Sequence, residues 1–181
     1  RTCVVVDPGH GGIDGGAVSC TGIEESKLNL EISLRLNDLL HLLGINTMMT
    51  RTEDVSIYSD GYTIAAKKVS DLKERVRIVN QTDNAILISV HQNTFHDTRY
   101  CGAQVFYNKN SDLANEIQSA LIKTLNPKSK RKAKKADGVY LLQNISCPEA
   151  LVECGFLSNS SDEVILRNAK YQKKLCCVIS A

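Results

Sequence analysis

The 181-residue sequence lacks several features that would place it in a special class of protein. No apolar run reaches the roughly 18 residues that a membrane-spanning helix needs. The net charge is only +2, so the overall balance gives no reason to expect nucleic acid or another polyanion as a partner. Internal repeats and linker-like stretches are also missing. A chain of this length can bury a substantial core without staples, so we expect one domain over residues 1–181.

The seven cysteines include no Cys-x-x-Cys pair. This pattern and the odd count argue against a full disulfide framework and against a zinc site built from thiolates. Cys154, Cys176 and Cys177 lie in apolar runs, where cysteine usually acts as a small buried hydrophobic residue. We therefore expect most thiols to be reduced and buried. A single bridge between Cys20 and Cys101 is the alternative, although no motif supports it.

The first predicted strand leads into a glycine-rich loop. Val4–Val6 is a β-branched run typical of a strand covered on both faces, and it stops at Asp7-Pro8-Gly9-His10-Gly11-Gly12. From Ser26 to Leu43 apolar residues recur with helical spacing, and Gly44 stands where a glycine cap would end a helix. Ile45–Thr50 then predicts a second strand. This order favours a right-handed βαβ unit with parallel strands.

Apolar runs and helical patterns alternate through the rest of the chain. The predicted strands are Ala85–Val90, Gly102–Tyr107, Val139–Leu142 and Ala150–Phe156, and the predicted helices are Asp71–Asn80, Ser111–Leu125 and Asp162–Ser180. The polar stretch Arg51–Val69 favours a surface loop, and Leu72, Val76 and Val79 are expected to face the core. Together the elements predict a single-domain, three-layer α-β-α fold of the α/β class. Its twisted, mostly parallel (mixed) central sheet would have about six strands, with helices on both faces.

Two of the predicted strands end in histidine, His10 after the first and His91 after Ala85–Val90. In a mostly parallel sheet both would lie at the edge where the ligand sites of open α/β sheets are found. A catalytic zinc typically takes three protein ligands, and one carboxylate would complete this set. Glu24 and Glu25 are the nearest acidic candidates. The ordinary alternatives are a surface-loop role for His10 and helix capping for Glu25.

A single carboxylate, Glu153, interrupts the apolar strand Ala150–Phe156. Burying a charged side chain is costly unless it is paired or functional. Glu153 fits a general base held beside an activated water, and it also fits a carboxylate on a partly wet strand face. On the residues alone, a zinc hydrolase, a structural metal site and a site without metal are all possible.

The stretch from Pro127 to Lys135 is strongly basic. It fits a solvated, mobile loop. It also fits a contact surface for an anionic polymer or for a protein partner.

Five blocks of sequence, spread in order over nearly the whole chain, resemble the signature motifs of one family. They are Asp7-Pro8-Gly9-His10-Gly11-Gly12, Gly22-Ile23-Glu24-Glu25, Thr50-Arg51, Ser89-Val90-His91-Gln92-Asn93 and Leu151-Val152-Glu153-Cys154-Gly155-Phe156-Leu157-Ser158-Asn159. The family is that of the zinc-dependent N-acetylmuramoyl-L-alanine amidases of bacterial cell separation and sporulation. Several long motifs in the family's order are far more specific than any one of them.

The resemblance implies a role for each matching residue. The residues that match the zinc ligands are His10, Glu25 and His91. Glu25 rather than Glu24 matches the ligand glutamate, because the family's glutamate stands five residues before the leucine that opens the apolar face of the helix, here Leu30. Glu153 matches the catalytic glutamate, and Asn93 matches an asparagine that contacts substrate or supports a ligand. Arg51 is interpreted as a structural or groove residue rather than a metal ligand.

The resemblance also implies hydrolysis of the amide bond between N-acetylmuramic acid and L-alanine in peptidoglycan, with Glu153 as the proton carrier. Three further blocks resemble the sporulation amidase that helps to form muramic-δ-lactam in the spore cortex, a step needed for germination. They are Gly61-Tyr62, Gly102–Tyr107 and Asp137–Leu142. The alternatives are a cell-separation amidase of the vegetative wall, a partner-dependent peptidoglycan-binding protein with low activity, and a zinc endopeptidase.

The implied substrate is a peptidoglycan strand with its stem peptides, either in the cell wall or in the forespore intermembrane space. The chain starts almost directly in a predicted strand, so we expect any export signal to have been removed or to lie outside this sequence. An activating or targeting protein partner is also expected, because a three-ligand site on glycine loops can hold zinc weakly. Lys128–Lys135 is one candidate docking surface for it.

Overall fold

Six β-strands form one mixed sheet with α-helices packed on both of its faces. The computed structural model describes residues 1–181. The strands are β1 Cys3–Pro8, β2 Asn46–Met49, β3 Ala85–Asn93, β4 Gln104–Tyr107, β5 Lys134–Lys135 and β6 Glu149–Phe156. Across the sheet they follow the order β2, β1, β3, β6, β4, β5. This architecture confirms the predicted α/β fold, although the short β5 has no counterpart in the prediction.

Two apolar clusters, one on each face of the sheet, hold the helices in place. The helices are α1 Glu25–Leu42, α2 Ile64–Gln81, α3 Asp112–Thr124, α4 Tyr140–Gln143, α5 Ser160–Leu166 and α6 Ala169–Ser180. In α1, Leu28, Ile32 and Leu36 recur on one face, and all three are buried. That face joins α3 and α6 in the larger cluster, whereas α2 and α4 cover the smaller one. None of these helices is both long and apolar enough to span a membrane.

The strand directions bring several loops to one edge of the sheet. β1 is parallel to β2 and β3, and β3 is parallel to β6. β4 runs antiparallel to β6, and β5 is parallel to β4. The ends of β1, β3 and β6 thus share one edge, which we call the carboxyl edge. Since β4 and β5 both run away from it, α3 and the residues that follow it must return the chain to the carboxyl edge.

Several local predictions are wrong. Arg51–Val69 is not a loop throughout, because α2 starts within it, where the Thr63 hydroxyl accepts the Ala66 N–H at 3.1 Å. Within α2, Leu72 is 37% exposed instead of facing the core. Val139–Leu142 is not a strand but lies largely in the short helix α4. A brief apolar run does not by itself distinguish a strand from a buried helical turn.

All seven thiols are free. Cys154 and Cys176 are buried, as their apolar neighbours predicted, but Cys177 is exposed. Cys177 follows Cys176 directly in α6, and adjacent residues of a helix point in different directions. Cys20 and Cys101 are both exposed and form no bridge with each other.

A buried arginine of α2 holds the loop that follows β1. Arg75 is 1% exposed, and its guanidinium nitrogens lie 2.6 Å from carboxylate oxygens of Asp7 and of Asp71. It also donates to the carbonyl oxygens of Pro8 at 2.8 Å and His10 at 2.6 Å. Arg75 therefore neutralises the Asp7 carboxylate and also holds the backbone of this loop in place.

Asp7 is the buried anion that matches Arg75. Burial alone would raise the pKa of Asp7, but Arg75 and the hydroxyl groups of Ser89 and Thr50 outweigh burial and lower that pKa to about 2. Both hydroxyls donate to Asp7 at 2.6 Å. The carboxylate thus stays ionised in the folded protein and balances the guanidinium charge.

Arg51 holds the same loop from another side. It is 3% exposed and donates to the carbonyl oxygens of Pro8 at 2.9 Å, Gly9 at 3.0 Å and Ser26 at 2.9 Å. Its guanidinium nitrogens therefore donate to main-chain carbonyl groups, in agreement with the predicted structural role. Together with Arg75 it fixes the backbone immediately before and at His10.

We expect Arg75→Leu to lower the free energy of unfolding by about 3–5 kcal/mol, because it leaves the Asp7 carboxylate buried without its counter-charge. Denaturant unfolding followed by circular dichroism would measure the loss. Arg77→Leu is the matched control in the same helix, since Arg77 is half exposed and pairs with Glu74 at the surface. Equal effects of the two substitutions would contradict the role given to the buried pair.

Candidate metal centre

Three side chains from separate elements meet at the carboxyl edge. His10 lies in the loop after β1, Glu25 is the first residue of α1, and His91 lies near the end of β3. His10 Nε2 is 3.3 Å from Glu25 Oε2, and His91 Nδ1 is 3.1 Å from Glu25 Oε1. One possible ligand atom from each residue lies within 4.8 Å of the other two. We call this group the His–Glu–His cluster.

Glu25 is the buried centre of the cluster. It is 4% exposed, and its carboxylate accepts the main-chain N–H groups of Ala17 at 2.9 Å and Gln92 at 3.0 Å. Burial would raise the pKa of Glu25, but the two histidines outweigh burial and lower it. Glu24, the other sequence candidate, lies outside the cluster. It pairs with Lys27 at 3.3 Å, and its side chain is 42% exposed.

His10 occupies a backbone conformation that residues other than glycine rarely adopt, with φ at 61°. Its Nδ1 atom lies 2.8 Å from Asp14 Oδ2, and its Nε2 atom is the one near Glu25. Burial would lower the pKa of His10, but Glu25 and Asp14 outweigh burial and raise that pKa to about 9. A carboxylate on the far nitrogen of an imidazole orients the ring, as is common around metal ligands. Sequence reasoning missed Asp14, whose one signal is its position in the turn after His10.

Two glycines let the cluster pack against the main chain. A Cβ atom on Gly9 would overlap the imidazole ring of His91. A Cβ atom on Gly16 would lie 2.6 Å from Glu25 Oε2 and 2.8 Å from His10 Cδ2, and Gly16 has a φ of 68°. The glycine-rich sequence is therefore needed for close approach as well as for turning the chain.

Glu153 lies beside the cluster on β6. It is paired in register with His91, and both residues line a cleft of about 390 Å³ together with His10. The Glu153 Oε2 atom is buried and has no hydrogen-bond partner. Burial, and after it the negative charge of Glu25, raises the pKa of Glu153 well above its ordinary value. An unpaired carboxyl oxygen at this position is available to a molecule in the cleft.

Asn93 and its neighbour Gln92 are placed differently. The Asn93 side-chain oxygen accepts the Thr94 N–H at 2.9 Å, and Asn93 is not among the residues that line the cleft. Gln92 is 3% exposed and supports the cluster. Its main-chain N–H donates to Glu25, and its Nε2 donates to Asn29 Oδ1 at 3.1 Å. The substrate role of Asn93 stays a prediction.

The donor atoms of the cluster fit a zinc ion. Two imidazole nitrogens and one carboxylate oxygen form a known ligand set of catalytic zinc, and tetrahedral coordination separates such donors by roughly 3.3 Å. Each histidine approaches a different oxygen of the Glu25 carboxylate, at 3.3 Å for His10 and 3.1 Å for His91, and one donor atom from each of the three residues lies within 4.8 Å of the others. With the cleft and Glu153 on the open side, this arrangement can support metal-assisted hydrolysis.

Comparisons with known proteins agree on one family. The family model described as N-acetylmuramoyl-L-alanine amidase matches residues 4–181. A germination-specific N-acetylmuramoyl-L-alanine amidase of Bacillus subtilis (strain 168) is 38% identical over 181 residues, covering 97% of this chain and 76% of that protein. The amidase LytC of the same organism is 28% identical over 177 residues, covering 94% of this chain and 32% of LytC.

Solved structures give the same result. The CwlD amidase from Clostridioides difficile, solved in complex with the GerS lipoprotein, superposes with a TM-score of 0.95 at 34% identity. The match covers 99% of this chain and 95% of the CwlD chain. Another N-acetylmuramoyl-L-alanine amidase, from Clostridium difficile 630, has a TM-score of 0.84 at 29% identity and covers 99% of this chain and 92% of that one.

We expect Gly9→Ala to weaken the affinity for Zn²⁺ by roughly tenfold or more, because the new methyl group must displace the His91 ring. Competition with a chromogenic chelator would measure that affinity. Gly15→Ala is the control in the same loop. Its Cβ would meet only the flexible end of Glu24, at 3.0 Å, so we expect little change. Equal affinities for the two variants would show that the contact between Gly9 and His91 does not shape the site.

Proposed function

This chain belongs to the N-acetylmuramoyl-L-alanine amidase family, and we propose that it is a zinc enzyme that hydrolyses the amide bond between N-acetylmuramic acid and L-alanine. Its family membership confirms the resemblance seen in the sequence motifs. One observation carries the zinc proposal: His10, Glu25 and His91 converge, and the two histidines line one cleft together with Glu153. We take residues 1–181 as the catalytic domain.

In this proposal His10, Glu25 and His91 hold the zinc ion. When bound, zinc would act as a Lewis acid towards the scissile carbonyl and would make a water molecule more acidic. The chain's own contribution is orientation. Asp14 restrains the His10 ring, and two main-chain N–H groups restrain the Glu25 carboxylate.

Glu153 would carry the proton. Amide hydrolysis requires a base that accepts a proton from the attacking water and then delivers it to the leaving amine of L-alanine. Burial raises the pKa of Glu153, so its carboxylate accepts a proton more readily than an exposed carboxylate does. Its unpaired Oε2 atom and its position opposite His91 support this role.

The walls of the cleft fit a polymeric substrate. Leu72, Val139 and Leu151 line the cleft together with the polar groups Lys68 and Asp71. The exposure of Leu72 is explained by this position, since its side chain faces the cleft instead of the core. A cleft with both apolar and charged walls can contact the sugar and the peptide parts of a peptidoglycan strand.

We place the activity outside the cytoplasm, on the peptidoglycan of the spore cortex, where it would contribute to muramic-δ-lactam formation before germination. Similarity to a germination-specific amidase supports this setting. A cell-separation amidase of the vegetative wall is the second candidate, because LytC, to which the chain is also similar, is named as an N-acetylmuramoyl-L-alanine amidase without a germination role. Because the CwlD amidase was solved with a lipoprotein, we also propose that a protein partner activates or targets this chain. A further alternative is a peptidoglycan-binding protein that depends on its partner and has low activity of its own.

The two neighbouring glutamates offer a direct test of the metal site. We expect Glu25→Gln to lose most of the bound zinc, because an amide oxygen is a far weaker ligand than a carboxylate. Glu24→Gln should keep zinc, since Glu24 lies outside the cluster. Elemental analysis after equilibrium dialysis measures both variants. Zinc loss in Glu24→Gln alone would mean that the ligand has been assigned to the wrong residue.

For Glu153→Gln we expect zinc binding close to that of the wild type and a loss of amidase activity of at least about 100-fold, because the amide cannot exchange the proton. Glu149→Gln is a control on the same strand. The Glu149 carboxylate lies at the opposite end of β6, where it accepts the N–H groups of Asn108 and Lys109 at 2.9 and 2.8 Å. Full activity of Glu153→Gln on soluble muropeptides would exclude Glu153 as the proton carrier.

A further inference from the structure

A second, larger groove is lined mainly by basic residues. It has a volume of about 1080 Å³ and lies between residues 97–102 and residues 125–134. Six basic side chains and one acidic side chain line it. The basic ones are Arg99, Lys128, Lys130, Arg131, Lys132 and Lys134. We call this feature the basic groove.

The backbone of the basic segment is tied to the body of the protein. The carbonyl oxygen of Lys132 accepts from the buried side chain of Gln104 at 2.8 Å, and the Asn126 side chain accepts the Ala103 N–H at 3.1 Å. The Arg131 guanidinium lies 5.1 Å from the centre of the Phe156 ring. These contacts anchor the backbone at Lys132 and the side chain of Arg131, while the lysine side chains of the groove are exposed.

The positive charge of the basic groove is not balanced inside the protein. Asp97, its one carboxylate, is 2.7 Å from Arg99. The lysines that form ion pairs are Lys27 and Lys68, both outside the groove. Because the net charge of the chain is only +2, the surplus is local. Like charges held close together repel one another, and an anionic ligand would relieve that repulsion.

The basic groove lies at the same sheet edge as the His–Glu–His cluster. Its first wall follows β3, and its second wall precedes β5, so both belong to the carboxyl edge. Phe156 stands three residues after Glu153 in β6 and contacts Tyr100 at 6.2 Å between ring centres. Tyr100 in turn lies 4.7 Å from Phe95, and both of these rings are exposed. Phe95 and Tyr100 therefore form an exposed aromatic ridge beside the groove, and Tyr100 packs near the buried ring of Phe156.

We propose that the basic groove binds carboxylate groups of stem peptides on the same peptidoglycan strand, next to the peptide that is cleaved. This inference rests on the proposed function. A strand lying in the cleft would continue along the carboxyl edge, and its stem peptides present carboxylates at repeated intervals. Exposed lysines on flexible stems suit anions whose spacing varies, because an ammonium group requires no fixed geometry. The groove would thus favour a polymer over a single muropeptide.

The test compares two triple variants with the same change in charge. The groove variant is Lys128→Ser, Lys130→Ser and Lys132→Ser. The control is Lys170→Ser, Lys173→Ser and Lys174→Ser, which removes three exposed lysines from α6. Binding to purified peptidoglycan is measured by co-sedimentation in the presence of a chelator, so that cleavage does not interfere. At low salt we expect about tenfold weaker binding for the groove variant and little change for the control, and we expect the difference to shrink as salt is raised, because salt screens exposed charges.

A second binding experiment, with chemically modified peptidoglycan, identifies the ligand. Peptidoglycan whose carboxyl groups have been converted to amides should bind the wild type about as weakly as native peptidoglycan binds the groove variant. Equal binding of the native and amidated material, or unchanged binding of the groove variant, would overturn the proposal. If the groove variant instead lost binding only to vesicles of anionic phospholipid, the groove would be a membrane contact and the proposal would also fail.

Hydrolysis of a soluble muropeptide with one stem peptide separates this inference from the proposed function. The groove variant should cleave it as fast as the wild type, because no neighbouring peptide is present. An equally large loss on this small substrate would show that the lysines act at the cleft itself, against the proposal. Absence of cleavage by the wild type would count against the amidase function, whereas the binding results would still decide the role of the groove.

Discussion

Two buried guanidinium groups hold the main chain on which the candidate site is built. Arg51 and Arg75 together bind the carbonyl oxygens of Pro8, Gly9 and His10. These contacts support the left-handed backbone of His10, a conformation that costs energy and persists only when its surroundings impose it. The charge of Arg75 is in turn balanced by Asp7, the last acidic residue before the loop. The position of His10 thus depends on a network that reaches across the sheet into α2.

The rest of the site follows from strand order and from close packing. β1, β3 and β6 are neighbours and parallel, so His10, His91 and Glu153 arrive at one edge without long loops. Glu25 joins them because α1 begins at the same edge. The two imidazoles lower the pKa of Glu25, while burial and the charge of Glu25 raise the pKa of Glu153. Two neighbouring carboxyl groups thereby differ in proton affinity, as the roles proposed for Glu25 and Glu153 require.

Most of the fold was predicted from local pattern, as were His10, His91 and Glu153 as candidate site residues, whereas the choice of Glu25 over Glu24 came from the family resemblance. Strands that end in histidine, and a lone carboxylate in an apolar strand, are visible without coordinates. Arg75 was not predicted to be buried, since helical periodicity treats a basic residue as exposed unless its partner is known. Asp14 was missed because its role depends on the turn after His10. Both failures concern polar contacts between residues that only the tertiary structure brings together.

The basic segment, residues 127–135, is another case that the sequence alone could not decide. Its composition fitted a mobile loop as well as it fitted a binding surface. The contacts of Gln104 and Phe156 with the segment anchor it at Lys132 and Arg131, and no local pattern reveals them. A sheet edge that holds a candidate metal cluster, an aromatic ridge and a fixed basic groove is consistent with one extended substrate along it.

The most direct test of the central claim is mass spectrometry of the products formed from a purified disaccharide-peptide muropeptide by metal-stripped protein, with and without added Zn²⁺. The account predicts release of an intact stem peptide with an amino-terminal L-alanine, dependent on zinc and reversed by a chelator. Cleavage within the peptide, or release of the stem peptide that the chelator leaves unchanged, would contradict a zinc amidase.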